Sequence, residues 1–234
     1  MKRTTHSKYN TKARNVSIFA ILCLLPLATH AFPVMEGHGV DTLSMETLFS
    51  TMPDSIIPYL SKNNRLDMMD FMKSKMTAAV ENSFGQKTVM TDFTPDYIKV
   101  QLHKGCDLEM RRFSYVGNSH ENTAVCVVFT FKEGEQNQLS SRILFYDTAW
   151  NRLFTKVRIP EFRQFWSADS LSEDEKTEMT EMEPSILIAA KVSPEEPTLE
   201  LTPTVVAVST DERKLFDRCK KKVSLYLRSL MEQK

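Results

Sequence analysis

Near the start of the chain, apolar residues recur at helical spacing in two separate stretches. In residues 44–52 they lie three or four positions apart, and Pro53 ends the pattern. The second stretch starts at Asn64, a good N-cap, and keeps the same spacing until Gly85, a residue type that often ends helices. The pattern predicts a short helix followed by a longer one.

Further along, the period changes from helical to alternating, which indicates strands. Residues 97–103 carry apolar side chains at every second position, as a half-buried strand does. Residues 107–116 also alternate, but their apolar face slips by one position at Arg111–Arg112, which predicts a β-bulge there. Residues 123–131 are apolar on both faces, which is typical of a central strand. Residues 142–147 continue the meander as a further strand.

The C-terminal part of the chain contains a second β pair and a final helix. Strands are predicted at 186–192 and 199–208, and Pro203 marks the second of them as an edge strand or a bulged one. Acidic residues dominate from about 167 to 185, and we interpret this segment as a solvated linker. A helix starting at Asp211 presents one apolar stripe, made of Leu215, Phe216, Cys219, Val223, Tyr226, Leu227, Leu230 and Met231.

The order of these elements defines the expected fold class. N-terminal helices come first, followed by an antiparallel meander, a second β-hairpin and a C-terminal amphipathic helix. This order is typical of an α+β domain whose helices pack on one face of the sheet. We therefore expect residues 44–234 to form a single α+β domain, preceded by a loose leader over residues 32–43.

The first 31 residues have the three parts of a secretory signal peptide. Five basic and no acidic residues precede an apolar run over residues 16–27, and the small residues Thr29 and Ala31 end the segment. The run is shorter than the ~20 apolar residues that a membrane-spanning helix needs. We expect export to the periplasm or the cell surface, with cleavage after Ala31 and no membrane span in the mature protein.

Removal of this segment changes the charge balance of the protein. The whole chain has 30 basic and 30 acidic residues, so the loss of five basic residues leaves 25 against 30 and a net charge of −5. A net negative protein matches neither nucleic acid nor an anionic membrane surface. We therefore expect neither as a partner.

Cysteine usage argues against a disulfide-stapled fold. Cys106, Cys126 and Cys219 remain after the signal segment, an odd number without C-x-x-C spacing. If the hairpin turns over residues 118–120, Cys126 pairs with Phe113 and lies ~20 Å from Cys106, far beyond the ~7 Å Cα separation of a disulfide. We expect no bridge between these two cysteines and a fold held together by apolar packing.

The residue types that carry catalysis do not form a recognisable motif. The chain lacks a glycine-rich phosphate loop, a G-x-S-x-G turn and paired histidines at zinc-site spacing. Asp67 and Asp70 lie one helical turn apart, but acids at a helix start also interact favourably with the helix dipole. The acidic segment lacks the glycine and alternating Asp or Asn of a calcium loop. We expect no cofactor and no bound metal.

One segment concentrates the residue types that are enriched at binding surfaces. From Tyr146 to Trp166 it contains six aromatic residues and four cations, although the mature protein is net acidic. Tyr146 and Trp150 continue an apolar strand and are expected in the core. The competing interpretation is that all these aromatics complete the core. Residues just before the acidic segment are expected to be exposed, and they are our candidate binding residues: Arg163, Phe165 and Trp166.

Several short segments carry a family resemblance. The most specific runs over Met52–Leu60 and continues through Asn63–Phe71, and weaker ones are Thr94–Tyr97 and Phe145–Asp147 with the following Trp150 and Leu153. Together they resemble an uncharacterised family of exported proteins from Bacteroidales, classed as a domain of unknown function. The resemblance covers most of the mature chain and implies a Gram-negative anaerobe and a periplasmic or outer-surface location. It implies no activity, because that family has no assigned catalytic residues.

Three functional hypotheses follow from these observations. The favoured one is a non-catalytic binding or accessory module whose ligand or envelope partner is unidentified. The main alternative is an envelope hydrolase whose site is assembled from dispersed carboxylates and His103. A structural component of the envelope is the third. A deep pocket that gathers His103 with two carboxylates would favour the enzyme.

Overall fold

A computed structural model describes residues 43–231, except for residues 118, 135–137 and 156 and the side chain of Glu133. The predicted signal peptide, its cleavage site and the leader up to residue 42 lie outside the described residues. The elements follow in the order α1 (Met45–Thr51), α2 (Lys62–Lys73), β1 (Ala79–Glu81), β2 (Lys87–Phe93), β3 (Tyr97–His103), β4 (Cys106–Gly117), β5 (His120–Glu133), β6 (Gln138–Asp147), β7 (Arg152–Leu153), a 3-10 helix (Phe162–Phe165), α3 (Glu173–Glu181), β8 (Ser185–Val192), β9 (Thr198–Val206), α4 (Thr210–Cys219), β10 (Val223–Tyr226) and α5 (Leu227–Met231).

The described strands form two antiparallel sheets. Strands β1 to β7 lie in chain order in a seven-stranded meander, and β10, β9 and β8 form a three-stranded sheet. Because β10 pairs only with residues 198–201, Pro203 lies beyond its end, where one side of β9 is unpaired. The predicted α+β class, with N-terminal helices, a meander and a second β pair, is confirmed.

The seven-stranded sheet is covered on both faces, and β5 shows this directly. Val125 and Val127 face an apolar cluster shared with α1 and α2. Cys126 and Val128 face a second cluster, shared with the three-stranded sheet and α5. The prediction of a central strand that is apolar on both sides is therefore confirmed. A third cluster, between α3, α4 and β9, includes Met179, Val205 and Phe216.

A buried arginine holds the N-terminal segments together. Arg65 is 1% exposed; its guanidinium donates to the carbonyl oxygens of Met52 and Leu60, each at 2.5 Å, and pairs with Asp54 at 2.9 Å. Hydrogen bonds to a charged group contribute about 1.5–3 kcal/mol each. The segments Met52–Leu60 and Asn63–Phe71, which carry the family resemblance, are thus joined by contacts that stabilise the fold.

The second helix is shorter than the pattern predicts. It is capped at Ser61 rather than Asn64 and ends at Lys73, and the chain turns at Lys75 with a positive φ of 57°. Beyond this turn, Ala79–Glu81 and Lys87–Phe93 form β1 and β2, two strands that the prediction missed. Their β-branched residues favour strands. The pairing of β2 with β3 then selects the strand over the helix that the spacing of apolar residues predicts.

The predicted bulge at Arg111–Arg112 is wrong. Residues 106–117 pair with β5 without a register shift, and Arg111 lies opposite Cys126. The alternation is interrupted in the sequence because Arg111 and Glu109 occupy the face of β4 that the second sheet covers; both residues are 6% exposed. Two buried polar residues with hydrogen-bond partners therefore produced the sequence pattern that is expected of a bulge.

The predicted single C-terminal helix is also wrong. The chain leaves α4 after Cys219, adds β10 to the edge of β9 and only then forms α5. Half-buried Val223 and Leu225 alternate with exposed Ser224 and Tyr226, which is the two-residue period of a strand. The two half-buried residues pack against the second cluster. The open edge of β9 has unpaired backbone groups, and hydrogen bonding to them stabilises a strand at 223–226 more than the helical spacing of the apolar stripe stabilises a helix.

The acidic segment interpreted as a linker is structured. It contains α3, which Ser172 caps by accepting from the backbone N–H of Glu175 at 3.3 Å. Met179 on this helix is 1% exposed, because it packs in the third cluster. One buried residue among many acids gives too weak a periodic signal for a helix prediction.

Candidate binding site

The structure separates the three candidate residues by burial. Arg163 lies on the 3-10 helix with a 76% exposed side chain that pairs with Glu161 at 2.7 Å. Phe165 is fully buried in the second cluster, so the prediction that it is exposed is wrong. Trp166 is half-buried and packs against the third cluster. Phe165 fills the space below the surface, whereas Arg163 and Trp166 remain accessible.

Arg163 and Trp166 line the same cavity, which we name the aromatic cavity. Its volume is about 650 Å³, within the range of about 300–1,000 Å³ that is usual for ligand pockets. The 3-10 helix and the chain after it form one wall, α3 forms another, and the C-terminal segment adds a lysine. The lining residues are Glu161, Phe162, Arg163, Trp166, Ser167, Ala168, Met179, Thr180, Met182 and Lys221.

Backbone hydrogen bonds fix the wall that carries Trp166. The N–H of Lys221 donates to the carbonyl of Phe165 at 2.7 Å, and the N–H of Ser167 donates to the carbonyl of Cys219 at 2.9 Å. These bonds place Trp166 opposite Lys220 in an isolated antiparallel bridge. The backbone that carries the indole is therefore held in place by the fold.

The α3 wall is tied to α4 by an ion pair. Glu175 on α3 accepts from Arg218 on α4. The pKa of the Glu175 carboxyl is lowered, first because it accepts a hydrogen bond from the backbone N–H of Ser172 and then because of Arg218. Behind this pair, Phe162 stacks on Phe216 with ring centroids 5.4 Å apart. Both walls thus rest on the same helix of the third cluster.

The chemistry of the aromatic cavity suits an amphipathic ligand. Phe162, Trp166, Met179 and Met182 supply apolar surface, and methionines adapt readily to irregular partners. The buried indole Nε1–H of Trp166 has no hydrogen-bond partner among the described residues. An unpaired buried donor is costly, so a ligand acceptor would restore a favourable contact.

Sequence reasoning missed several members of this site. Met179 and Met182 lie in the segment interpreted as a linker, and Lys221 follows α4, more than fifty residues after Trp166. Only the pairing of the chain around Trp166 with that around Lys220 brings these residues together. Local sequence patterns do not contain this information.

His103, the histidine of the hydrolase hypothesis, lies away from this site. It ends β3, where its Nδ1 accepts from the N–H of Gly105 at 3.1 Å and its ring lies 5.2 Å from that of Tyr59. His103 lines neither the aromatic cavity nor any of three further cavities in the described part of the chain. The arrangement that would favour the enzyme is not present at those cavities.

The cysteines of the described residues are buried, and the residue types that bind metals do not cluster there. Cys106, Cys126 and Cys219 are all free and buried, which confirms the absence of a Cys106–Cys126 bridge. Cys126 faces Arg111 rather than Phe113, so it lies five residues along the strand from the position opposite Cys106, or ~17 Å. Burial raises the pKa of Cys106 to about 11, which disfavours the nucleophilic thiolate. Among the described residues, no three His, Cys, Asp or Glu side chains are placed to hold a metal ion.

The fold and this site define a class of protein: an α+β domain of two packed antiparallel sheets with an open, partly aromatic surface cavity. A family model matches residues 38–229, and the chain belongs to that family, which is described as "Protein of unknown function (DUF3256)". The family resemblance seen in the sequence is confirmed. None of the curated proteins compared matches the chain.

A solved structure supports the fold. The "Structure of a domain of an uncharacterized protein from Porphyromonas gingivalis W83" is 21% identical, covers 79% of this chain and 94% of its own, and superposes with a TM-score of 0.57. At this identity the similarity concerns the fold alone. Among the described residues, no helix has the length and apolar character needed to cross a membrane.

Proposed function

We propose that this protein is an exported, non-catalytic binding module whose aromatic cavity takes up a segment of a partner protein. The bound segment carries an apolar side chain next to a carboxylate. The observation that carries the proposal concerns Trp166: this residue lines a cavity with both apolar and cationic residues, and its buried indole N–H has no hydrogen-bond partner among the described residues.

The charges around the cavity support an acidic ligand. Lys221 is exposed, and its ammonium group has no ion-pair partner among the described residues. Arg163 pairs with Glu161, but both side chains are largely exposed, at 76% and 69%, so that the pair is weak in water. A ligand carboxylate would gain two nearby cations on a protein whose mature form has a net charge of −5.

The apolar lining supports a protein segment as the source of that carboxylate. Tryptophan and arginine are enriched among residues that dominate binding energy, and a peptide supplies side chains of the size that the cavity accommodates. The indole N–H then finds an acceptor in a peptide carbonyl or carboxylate.

Export is supported by the first 31 residues, with their basic start, apolar run and small-residue exit. Intact mass spectrometry of protein from the periplasmic fraction tests it. Cleavage after Ala31 is expected, and a full-length chain retained in the cytoplasm would contradict it.

Selection from a displayed peptide library tests the binding function. The bait is the mature protein starting at Phe32, and we expect enriched peptides to carry an aliphatic or aromatic residue beside Asp or Glu. The double variant Arg163→Glu, Lys221→Glu should bind them at least ~10-fold more weakly, because it replaces attraction by repulsion. Its melting temperature should stay unchanged, since both side chains are exposed.

A control variant separates the site from the overall charge. Lys104→Glu with Arg158→Glu changes the net charge by the same amount at two exposed residues outside the cavity. It should bind the peptides as the wild type does. Equal weakening by both double variants, or a library without any enrichment, would refute the proposed function.

A further inference from the structure

A second cavity opens where β4 loses one of its neighbours. The last strand pair between β3 and β4 is Tyr97–Arg111, the N–H of Arg112 still donates to the carbonyl of Asp96 at 2.9 Å, and residues 113–117 are paired with β5 alone among the described strands. The cavity at this open edge has a volume of about 240 Å³ and is lined by three arginines. We name it the arginine cavity.

Two of these arginines are held in place by the fold. Arg111 is 6% exposed and donates to the carbonyl oxygens of Ser193 at 2.9 Å and Glu195 at 3.1 Å. Burial lowers the pKa of its guanidinium, while Asp96, Glu195 and Glu196 oppose this effect. Arg112 pairs with Asp96. Both cations are therefore oriented by the surrounding backbone and carboxylate before any ligand arrives.

Several hydrogen-bond donors at this cavity have no partner among the described residues. They are the Nε–H of Arg111 and the hydroxyl of Thr123, both buried, and the exposed guanidinium of Arg228 on α5. Ser114 adds a further hydroxyl to the lining. Unpaired buried donors are uncommon in proteins, and the two at this cavity, beside an exposed cation, indicate a missing acceptor.

The charge at the cavity also indicates an anionic ligand. Three arginines and one carboxylate, that of Asp96, line the cavity, and Glu195 and Glu196 lie close enough to act on the charge of Arg111. The lining thus keeps an excess of positive charge on a protein whose mature form is net acidic. We propose that the arginine cavity binds a tetrahedral oxyanion, a phosphate or sulfate group, either free or as an ester. The proposal concerns a second site, which shares no lining residue with the aromatic cavity.

The geometry favours a tetrahedral group over a planar carboxylate. The donors flank the open edge of β4 from both faces of the sheet. Arg111 lies on the face that the second sheet and α5 cover, and α5 also carries Arg228, whereas Thr123 lies opposite Ser114 on the other face. Donors that approach an edge from two sides match oxygens that point in different directions, whereas one flat guanidinium fork matches a carboxylate. A water occupies ~30 Å³ of liquid, so the cavity offers the space of roughly eight waters, enough for an oxyanion with a short substituent.

Calorimetric titration of the mature protein tests the inference. The probes are inorganic phosphate, inorganic sulfate, glycerol phosphate as an ester, and acetate as a planar control. We expect phosphate or sulfate to bind and to raise the melting temperature, with acetate at least ~10-fold weaker. A preference for glycerol phosphate over the inorganic ions would identify an ester as the ligand class.

Two variants outside the structural contacts localise the site. Arg228→Glu should weaken oxyanion binding ~10-fold or more, because it replaces an unpaired cation by an anion. Thr123→Val should weaken binding several-fold without lowering the melting temperature of the unliganded protein, since the hydroxyl that it removes has no partner in the described structure. The matched control, Arg158→Glu, changes the same charge at an exposed residue elsewhere. Absent heat and thermal shift with phosphate and sulfate, acetate binding of equal strength, or equal weakening by Arg158→Glu would each overturn the inference.

Discussion

The aromatic cavity and the arginine cavity differ in what their lining residues do for the fold. Arg163 and Lys221 of the aromatic cavity are exposed, and their side chains form no hydrogen bond or ion pair with another helix or strand in the described part of the chain. In the arginine cavity, Arg111 holds the β8–β9 turn and Arg112 holds the β2–β3 turn. At the aromatic cavity, substitution of Arg163 or Lys221 should therefore change binding without changing stability. At the arginine cavity, only substitutions at residues such as Arg228 and Thr123 should do so.

The C-terminal segment is common to both cavities and gives the largest expected effect. It supplies Lys221 to one cavity and Arg228 to the other, and it buries Phe216, Leu227 and Leu230. Burial of each such side chain contributes ~1.5–3 kcal/mol, and a whole domain is stable by only ~5–15 kcal/mol. Truncation after Thr210 should therefore give an unfolded or aggregated protein by circular dichroism and gel filtration. A soluble product with the wild-type melting temperature would show that the segment is dispensable.

Phe165 provides the second effect, because it lies directly beside the residues of the aromatic cavity but is fully buried. Phe165→Ala should lower the free energy of unfolding by ~3–5 kcal/mol, measured by urea denaturation. Phe154→Ala is the matched control, since that phenylalanine is 92% exposed and should change stability by less than ~0.5 kcal/mol. Similar losses of stability in the two variants would contradict the burial of Phe165 beneath the accessible residues Arg163 and Trp166.

A smaller effect concerns the α3 wall and pH. The pKa of Glu175 is lowered from an ordinary value of 4.5 by the N–H of Ser172 and by Arg218. A lowered folded-state pKa means that the stabilisation is fully present above the unfolded-state pKa and is lost as the pH falls through the folded-state pKa. The loss should therefore occur below about pH 4.5 in the wild type and be absent in Glu175→Gln. Urea denaturation between about pH 6 and about pH 3 measures it. If the wild type and Glu175→Gln lost the same free energy of unfolding at acidic pH, the acid sensitivity would come from other carboxylates.

The sequence predicted those parts of the fold in which one local period dominates. The first helix, the central strand at 123–131 and the hairpin at 186–208 have patterns that local packing alone explains. The prediction failed where a distant partner decides. β10 exists because the edge of β9 is open, and Arg111 is buried because the second sheet covers it.

The same distinction applies to the candidate site. Arg163 and Trp166 were predicted as candidates because residues enriched at binding surfaces cluster locally in the chain, and both line the aromatic cavity. Lys221, Met179 and Met182 were missed, because a tertiary pairing brings them to the cavity. Phe165 was misplaced, since composition does not distinguish a buried aromatic residue from an exposed one.

The most direct test of the account follows the indole of Trp166 by NMR. The chain has two tryptophans, so Trp150→Phe leaves a single indole N–H signal, that of Trp166. We predict that a library-selected peptide shifts this signal at the concentrations that saturate binding, because the unpaired Nε1–H gains an acceptor, and that sulfate leaves it unchanged. A peptide that binds with wild-type affinity without moving the indole signal would contradict the assignment of the aromatic cavity as the binding site.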